Sequence, residues 1–347
     1  MTNMRPEIDM QALPHRRMEA WKWSDVRRTV RADAAGLAAQ AKLDVQLPPG
    51  VDVSHESLPG LDSPMGQMAA RFAGEMLVLE IAAGTEVTIP LTIRVSDFGH
   101  ARVKIRLGEG AALAVEELYQ SGQAGFSNVE ISYDLAVGAK LARTVFHNDH
   151  ADTTRIVTAH MSAWVGAEIH QHALSFGAGL ARLETRMAVM GREVKAELHG
   201  AYLLSDKRHC DMTSYIDLGA EAPFIRQSVK GVVTGKATGV FQGKFHVRRP
   251  AQLTDAEMRH DAIMLSDTAH VRAKPELEIY ADDVACAHGN TIGQLDESAL
   301  FYMRQRGIPL IQARALLIRA FVAGSFERLE DNADFLARID HWLEAAL

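Results

Sequence analysis

The sequence predicts a mainly β fold whose central part is a repetitive β-helix or solenoid, with helical regions on either side. The first observation is a series of short runs, between about residues 74 and 286, in which apolar and polar residues alternate as they do in β-strands. These runs are MLVLEI, EVTIPLTIRV, ARVKIRL, ALAVEELY, NVEISYDL, ARLETRMAVM and GVFQGKFHV. The second observation is a turn glycine that recurs every 28 residues at Gly110, Gly138 and Gly166, with Gly191 following 25 residues later. Regular turns without long helices between them favour coils stacked around one apolar core.

A β-sandwich is the alternative fold, because its strands alternate in the same way. Such sandwiches usually end near about 100 residues, whereas the strand-rich zone of this chain is about twice as long. Length therefore favours the solenoid. The glycine-rich stretch from Gly231 to Gly239 lacks the spacing of a phosphate-binding loop and is interpreted as turns between strands.

The first region of the chain is predicted to contain short helices and a loop. Charged and apolar residues are interleaved at helical spacing between residues 16 and 28, which indicates a short amphipathic helix. The alanine-rich stretch 34–43 predicts a second helix. Prolines at four positions between residues 47 and 64 predict a loop.

The last region is predicted to be helical. Asp296 suits the N-cap of a helix that Gly307 would close, and Pro309 suits the start of the next one. A final amphipathic helix is predicted after Asn332. The predicted regions are an N-terminal helical region and loop, a β-helix core, and a C-terminal helical domain, at residues 1–73, 74–286 and 287–347.

The composition argues against several functional classes. The 347 residues carry a net charge of −7 at pH 7, whereas a general nucleic-acid binder shows a basic face and a basic pI. Apolar runs are too short to cross a membrane, and the start of the chain lacks the apolar core of a secretory signal. Two cysteines, Cys210 and Cys286, are too few for a disulfide scaffold or for a four-cysteine metal site. We therefore expect a cytoplasmic protein that binds neither nucleic acid nor membranes.

The strongest candidate site is the segment EIYADDVACAHG at residues 278–289. On a strand, Cys286 and His288 would project from the same face, because side chains alternate. A thiolate and an imidazole can bind iron or zinc, but two ligands make only part of a metal site. Taken alone, such a pair is more typical of a buried structural cysteine beside a hydrogen-bonded histidine.

Other histidines and the second cysteine form weaker candidates. Cys210 lies between His209 and Asp211, but a small buried hydrophobic role is the simpler interpretation. A metal-binding track of histidines is conceivable, although scattered surface and core roles are more typical. The histidines considered are His147, His150, His170, His172, His199, His209, His246, His260 and His270.

The chain carries no recognised catalytic or nucleotide-binding motif. It lacks a phosphate-binding loop, a dinucleotide-binding glycine motif, a zinc-protease motif and a nucleophile elbow. We therefore expect a binding or scaffold protein and not an enzyme. Two alternatives stay open, namely a purely structural interaction module and a β-helix enzyme of the carbohydrate-processing type.

Several stretches resemble the SufD family of iron–sulfur cluster assembly proteins. The strongest resemblance runs from Lys274 to Gly289, KPELEIYADDVACAHG, and continues into TIGQLD at 291–296 and ALFYMRQRGI at 299–308. Further similar stretches are LPHRRMEAWKWSD at 13–25, VFQG at 240–243, AQLTD at 251–255 and LSD at 265–267. The SufB family shares much of this pattern, and Gly289 together with GQLD at 293–296 favours SufD. Asn290 departs from the pattern, since alanine is usual there.

The resemblance implies a right-handed parallel β-helix flanked by N-terminal and C-terminal helical regions. It implies a heterodimer with a SufB-like subunit through the β-helix, with a SufC-like ATPase docked on the C-terminal helices. The isolated chain could also pair with itself through a free β-helix edge. In this interpretation the chain is a non-catalytic scaffold subunit of the SUF complex.

The resemblance also implies where iron would bind. A transient iron–sulfur cluster, or iron, would lie at the subunit interface between a SufB cysteine and His288, with Cys286 as a neighbouring candidate. No cofactor would be tightly bound by this chain alone. The residues expected to contact the SufC-like ATPase are Leu300, Phe301, Tyr302, Arg304, Arg306 and Gly307.

Overall fold

The computed structural model describes residues 9–31, 34–329 and 333–347. Within these ranges eighteen strands form two nine-stranded sheets, and the chain alternates between them along most of its length. From residue 76 onward each strand pairs in parallel with the strand two positions later in the chain. The predicted parallel β-helix is therefore confirmed, and the β-sandwich alternative is wrong.

The two sheets are named after their last strands. In spatial order the β18 sheet contains β1 (Asp44–Gln46), β4 (Glu86–Val95), β6 (Ala112–Ser121), β8 (Lys140–Asp149), β10 (Glu168–Ser175), β12 (Lys195–Leu204), β14 (Phe224–Val233), β16 (Thr254–Met264) and β18 (Val284–Gly293). Listed from the same end, the β17 sheet contains β2 (Val51–Glu56), β3 (Met76–Ile81), β5 (Gly99–Leu107), β7 (Phe126–Leu135), β9 (Thr154–Ala163), β11 (Leu180–Val189), β13 (His209–Leu218), β15 (Thr238–Val247) and β17 (His270–Ile279). Both sheets thus end at the same end of the solenoid.

The regular glycines stack along one edge of the solenoid. Gly110, Gly138 and Gly166 each have φ of 65°, a left-handed conformation that glycine adopts at low cost. The amide of each donates to a carbonyl in the next coil, as Gly138 does to Val165 at 2.8 Å. In the following coil Glu193 takes this left-handed position with φ of 60°, which explains why the predicted spacing breaks down at Gly191.

The glycine-rich stretch is only partly a turn. Gly235 has φ of 66° and connects β14 to β15, but Gly231 and Gly239 lie within those strands. A Cβ atom at either position would come within 2.3 Å of the Tyr202 ring. The interpretation of the whole stretch as turns is therefore wrong, because two of its glycines make room for a large side chain between the sheets.

The space between the two sheets, here called the lumen, is filled by the inward-facing residues of every strand. Val103, Ile131 and Val157 are buried in it on successive strands of the β17 sheet. The lumen also holds an ion pair between Glu117 and Arg143. Each coil buries its inward side chains only because the neighbouring coils cover them, so the core is continuous along the axis.

Helices and the N-terminal segment cover parts of the outer faces. The C-terminal helices α4 (Leu310–Ala323) and α5 (Ala333–Ala346) pack on the β18 sheet through an apolar cluster that includes Leu174, Leu203 and Ile339. Residues of the first region pack on the β17 sheet through a second apolar cluster that includes Leu13, Trp21, Phe126 and Ile156. None of the helices in the described ranges has the length and apolar character needed to cross a bilayer.

The N-terminal region is less helical than predicted. Between residues 16 and 28 the chain forms a 3₁₀ turn at Glu19–Trp21 and begins the four-residue helix α1 (Val26–Thr29). Residues 34–43 form turns and an isolated bridge, and the predicted loop contains strand β2 and is followed by helix α2 (Pro64–Phe72). Contacts with the solenoid explain the difference, since Arg182 stacks on the Trp21 ring at 4.1 Å and donates to the Ala20 carbonyl.

The C-terminal helical domain begins later than predicted. Strand β18 continues the solenoid to Gly293, so the predicted boundary at residue 287 falls inside a strand. Helix α3 (Glu297–Gln305) then starts at the expected cap, because the Asp296 carboxylate accepts from the Ser298 amide at 2.8 Å. Gly307 follows this helix with φ of 85°. The predicted start of the last helix at Asn332 lies outside the described residues.

Candidate functional site

Strand β18, the last strand of its sheet, carries Cys286 and His288 on one face, as predicted. In the parallel register Cys286 lies opposite Ala256 and His288 lies opposite Met258, and both of those β16 residues are buried in the lumen. The two candidate ligands therefore face the lumen direction. Because the coils end here, that face is open, so His288 is exposed while Cys286 is half-buried against the core.

This pair can contribute ligands to iron, but it is not a complete metal site. Within residues 9–31, 34–329 and 333–347, no three histidine, cysteine or acidic side chains converge as a metal site requires. Burial and the nearby Asp255 carboxylate raise the pKa of Cys286, and a backbone hydrogen bond from Ala256 acts in the opposite direction. The thiol thus favours its protonated form until a metal or a positive partner displaces the proton.

Cys210 has the structural role that the sequence favoured. Its thiol is fully buried in the lumen and lies 3.3 Å from the Ser175 hydroxyl. Burial raises its pKa to about 12. The neighbouring Asp211 accepts from Ser24 at 2.5 Å and from Arg182 at 2.7 Å, so it fastens the N-terminal segment to the solenoid.

The two thiols should therefore differ in reactivity. We expect a thiol reagent at pH 8 to modify Cys286 in the folded chain and to reach Cys210 only after unfolding, because Cys286 is partly accessible whereas Cys210 is fully buried with a pKa of about 12. Counting modified thiols by mass spectrometry before and after denaturation checks this, with Cys286→Ser as the control. Equal modification of both thiols in the folded chain would contradict the burial of Cys210.

The other candidate histidines do not form a metal-binding track within the described part of the chain. His147 is buried and bonded to Asp149 at 2.8 Å and to Ser175 at 2.9 Å. His172 stacks against His199 on the outer face of the β18 sheet, and burial lowers the pKa of His172 to about 4. These histidines have structural surroundings, which agrees with the simpler interpretation of the sequence.

Five exposed apolar side chains, here called the helical patch, lie on α3 and α4, two helices that contact each other. The helical patch consists of Phe301, Tyr302, Leu310, Ile311 and Leu316, of which Phe301 is 65% exposed and Ile311 is 62% exposed. Large apolar residues exposed on neighbouring helices make this part of the chain a candidate interaction site.

The helical patch and the predicted ATPase-contact residues overlap only in part. Arg304, Arg306 and Gly307 are exposed beside it, and the Arg306 guanidinium stacks on the Tyr302 ring at 4.2 Å. Leu300 is only 2% exposed, so it packs inward and does not lie on the accessible surface. Leu310, Ile311 and Leu316 are not among the predicted contacts, although the run LIQARALLIRAFVA has more apolar residues than one buried helix face requires.

Comparison with known proteins places the chain in a family. The sequence profile described as "SUF system FeS cluster assembly, SufBD core domain" matches residues 93–321. The chain is 27% identical to the iron–sulfur cluster assembly protein SufD of Escherichia coli, with 92% of this chain and 75% of that protein covered. It is 29% identical to iron–sulfur cluster assembly SufBD family proteins of Mycobacterium tuberculosis and Synechocystis, which cover 97% and 73% of this chain and are themselves covered over 91% and 56% of their lengths. Because the profile spans more than half of the chain and includes both β18 and α3, the chain belongs to the SufBD core domain family of the SUF iron–sulfur cluster assembly system.

Proposed function

We propose that this chain, whose family has a role in iron–sulfur cluster assembly, is a non-catalytic scaffold subunit of a SUF complex. It pairs with a SufB-like subunit and docks a SufC-like ATPase. The nascent cluster is the cargo, and it forms at the interface with the SufB-like subunit. The observation that supports this most strongly is the open end of the solenoid, where β17 and β18 end their sheets side by side in the same coil.

The open end offers two edges for strand pairing. An edge strand presents unpaired amides and carbonyls that another chain can extend. Every residue of β18 is at least partly exposed, whereas most residues of β16 that face the lumen are buried. A partner with the same parallel architecture would continue both sheets and cover the core at this end. A second copy of this chain has the same edges, so a homodimer is the expected competitor in isolation.

The chemistry of the open end suits a cluster that must be passed on. Cys286 and His288 supply two donors of different kinds, and the partner would supply the rest. A site divided between two chains binds its metal only while the chains hold their relative positions. Movement of the interface would therefore weaken the site and release the cluster.

The helical patch is the proposed docking surface for the SufC-like ATPase. Helix α4 is fastened to the solenoid by Lys230 of β14, whose ammonium donates to the Phe321 carbonyl at 2.7 Å. Such a contact at the last turn of a helix also complements its dipole. Motion imposed on these helices by a bound ATPase would thus reach the β18 sheet, which carries the cluster ligands.

Substitution of Phe301 by aspartate tests this docking. A large exposed aromatic residue is a common interface hot spot, so we expect ATPase affinity to fall by about 30-fold or more, equivalent to about 2 kcal/mol. The measurement is binding of the purified chain to a SufC-like ATPase by calorimetry or interferometry. Trp164→Asp is the matched control, since Trp164 is 47% exposed on a turn of the solenoid. Equal affinities for F301D and the unsubstituted chain would exclude the helical patch.

A purely structural interaction module is the second candidate. Its support is that Cys286 packs against the lumen core and that no group of three potential metal ligands occurs among the residues that the structure describes. Iron titration of the assembled complex, with and without the substitutions Cys286→Ser and His288→Ala, separates the two candidates. Unchanged iron binding in both variants would favour the structural module.

A further inference from the structure

A chain of hydrogen bonds runs along the lumen from β12 to β18 and links the core to the strand that carries Cys286 and His288. Tyr202, His260 and Asn290 lie on β12, β16 and β18. The Tyr202 hydroxyl lies 2.8 Å from His260 Nε2, and His260 Nδ1 lies 2.7 Å from the Asn290 side-chain oxygen. Tyr202 and His260 are fully buried, whereas Asn290 is at the open mouth of the lumen.

The direction of these bonds follows from the chemistry of the groups. The amide oxygen of Asn290 can only accept, so His260 Nδ1 must carry the proton. Burial lowers the pKa of His260 and so favours a neutral imidazole, in which Nε2 is the acceptor of a hydrogen bond from the Tyr202 hydroxyl. The neutral imidazole thus has a single tautomer, and its orientation is fixed by a hydrogen bond at each nitrogen.

Packing holds the imidazole in place. The Phe241 ring stacks on His260 with centroids 4.9 Å apart and planes 2° from parallel. Tyr202 in turn occupies the space left by Gly231 and Gly239. The His260 imidazole, to which Asn290 is hydrogen-bonded, is therefore a rigid part of the core.

Asn290 lies on the same face of β18 as Cys286 and His288. Side chains two residues apart on a strand share a face, and Asn290 pairs in register with His260 just as His288 pairs with Met258. Among the strands of the described residues β18 has a neighbour on one side only, so its alignment depends on contacts with β16 and with the core. A directional bond from a fixed imidazole restrains the strand beside the candidate ligand.

We propose that Asn290 is a positioning residue that anchors the exposed strand β18 to His260 and thereby sets the orientation of His288. This inference rests on the proposed function where it concerns the cluster, but the anchoring itself can be measured on the chain alone. In this proposal Asn290 does not contact the cluster, and it affects His288 by restraining the backbone of β18.

The test compares three variants of the full chain. Asn290→Leu keeps the size of the side chain and removes the acceptor, while Asn290→Asp keeps an acceptor for His260. Thr291→Val is the matched control, because Thr291 is the next residue of β18 and bonds outward to Asp261 of the same neighbouring strand. Asn290 and Thr291 are both exposed, so these variants should fold.

Amide hydrogen exchange over residues 284–293 provides the first measurement. We expect exchange in N290L to be about tenfold faster, which corresponds to about 1.4 kcal/mol of lost protection, and to stay near the parent rate in N290D. Exchange in β12 should not change and serves as the internal reference. An unchanged rate over β18 in N290L would overturn the anchoring.

Cluster yield in the reconstituted complex is the second measurement. N290L should lower the yield, N290D should restore it, and T291V should retain it. A loss in T291V as large as that in N290L would overturn positioning, since general weakening of the strand would then be sufficient. Normal yield in N290L, when His288→Ala has none, would overturn it as well. If His288→Ala itself gives normal yield, the proposed cluster site is wrong, while the exchange result still decides the anchoring.

Discussion

Replacing His288 with alanine should abolish cluster assembly by the SUF complex while leaving the chain folded and bound to its partners. His288 is exposed on β18, so removal of its imidazole leaves no cavity in the core and does not remove a buried charge. Exposed substitutions away from such features usually change stability by less than about 0.5 kcal/mol. The loss should therefore appear in the chemistry and not in the fold. The measurement is the yield of cluster per complex, read from its visible absorbance after reconstitution with iron and sulfide donors.

The matched control for this experiment is His270→Ala. His270 is also exposed, and it lies on β17, the last strand of the other sheet. Its loss should leave the yield unchanged. Normal yield in the His288 variant, or equal losses in both variants, would remove His288 from the proposed site.

Among the substitutions considered, Glu117→Ala should cause the largest decrease in the free energy of unfolding. The Glu117 carboxylate is fully buried in the lumen and accepts from Arg143 Nε at 2.5 Å and from the Tyr119 hydroxyl at 2.6 Å. The Tyr133 hydroxyl donates to it as well. Burial, together with the nearby carboxylate, raises the pKa of both tyrosines, so both remain donors. Removal of Glu117 leaves the Arg143 charge buried without its partner, which typically costs about 3–5 kcal/mol.

Chemical denaturation of the variant and the parent chain measures this cost. Glu116→Ala is the matched control, because Glu116 is the preceding residue of β6 and faces solvent. It should change the free energy of unfolding by no more than about 0.5 kcal/mol. A loss below about 1 kcal/mol in the Glu117 variant would show that the lumen tolerates the uncompensated Arg143 charge.

The strands of the solenoid could be predicted because their signal is local. The runs MLVLEI and EVTIPLTIRV coincide with β3 and β4 to the residue, because both are rich in β-branched and other apolar residues that favour strands. The register shift of β4 between Val87 and Leu91 has no signal in this pattern. Coils whose turn lacks glycine gave a weaker signal. Leu253, for example, takes the left-handed position before β16 with φ of 58°, and no turn was predicted there.

The N-terminal region could not be predicted in this way. Residues 16–28 have a helical pattern, but contacts with Arg182 and Asp211 of the β17 sheet hold most of the segment in a non-helical conformation. These partners lie more than 150 residues away in the chain, as the separation between Ala20 and Arg182 shows. Tertiary contacts of this kind override weak helical propensity.

Part of the candidate site could likewise be predicted from the sequence, and part could not. The common face of Cys286 and His288 follows from strand periodicity, and the resemblance to SufD singled out His288. The bond between His260 and Asn290 could not be foreseen, because it depends on the register between strands 30 residues apart. The burial of Leu300 likewise depends on how α3 turns toward the rest of the chain.

Native mass spectrometry after co-expression with a SufB-like and a SufC-like subunit tests the central proposal most directly. The scaffold account predicts one complex that contains all three chains, in which this chain is no longer paired with itself. Recovery of this chain only as a monomer or a homodimer, while the SufB-like and SufC-like subunits assemble without it, would contradict the account.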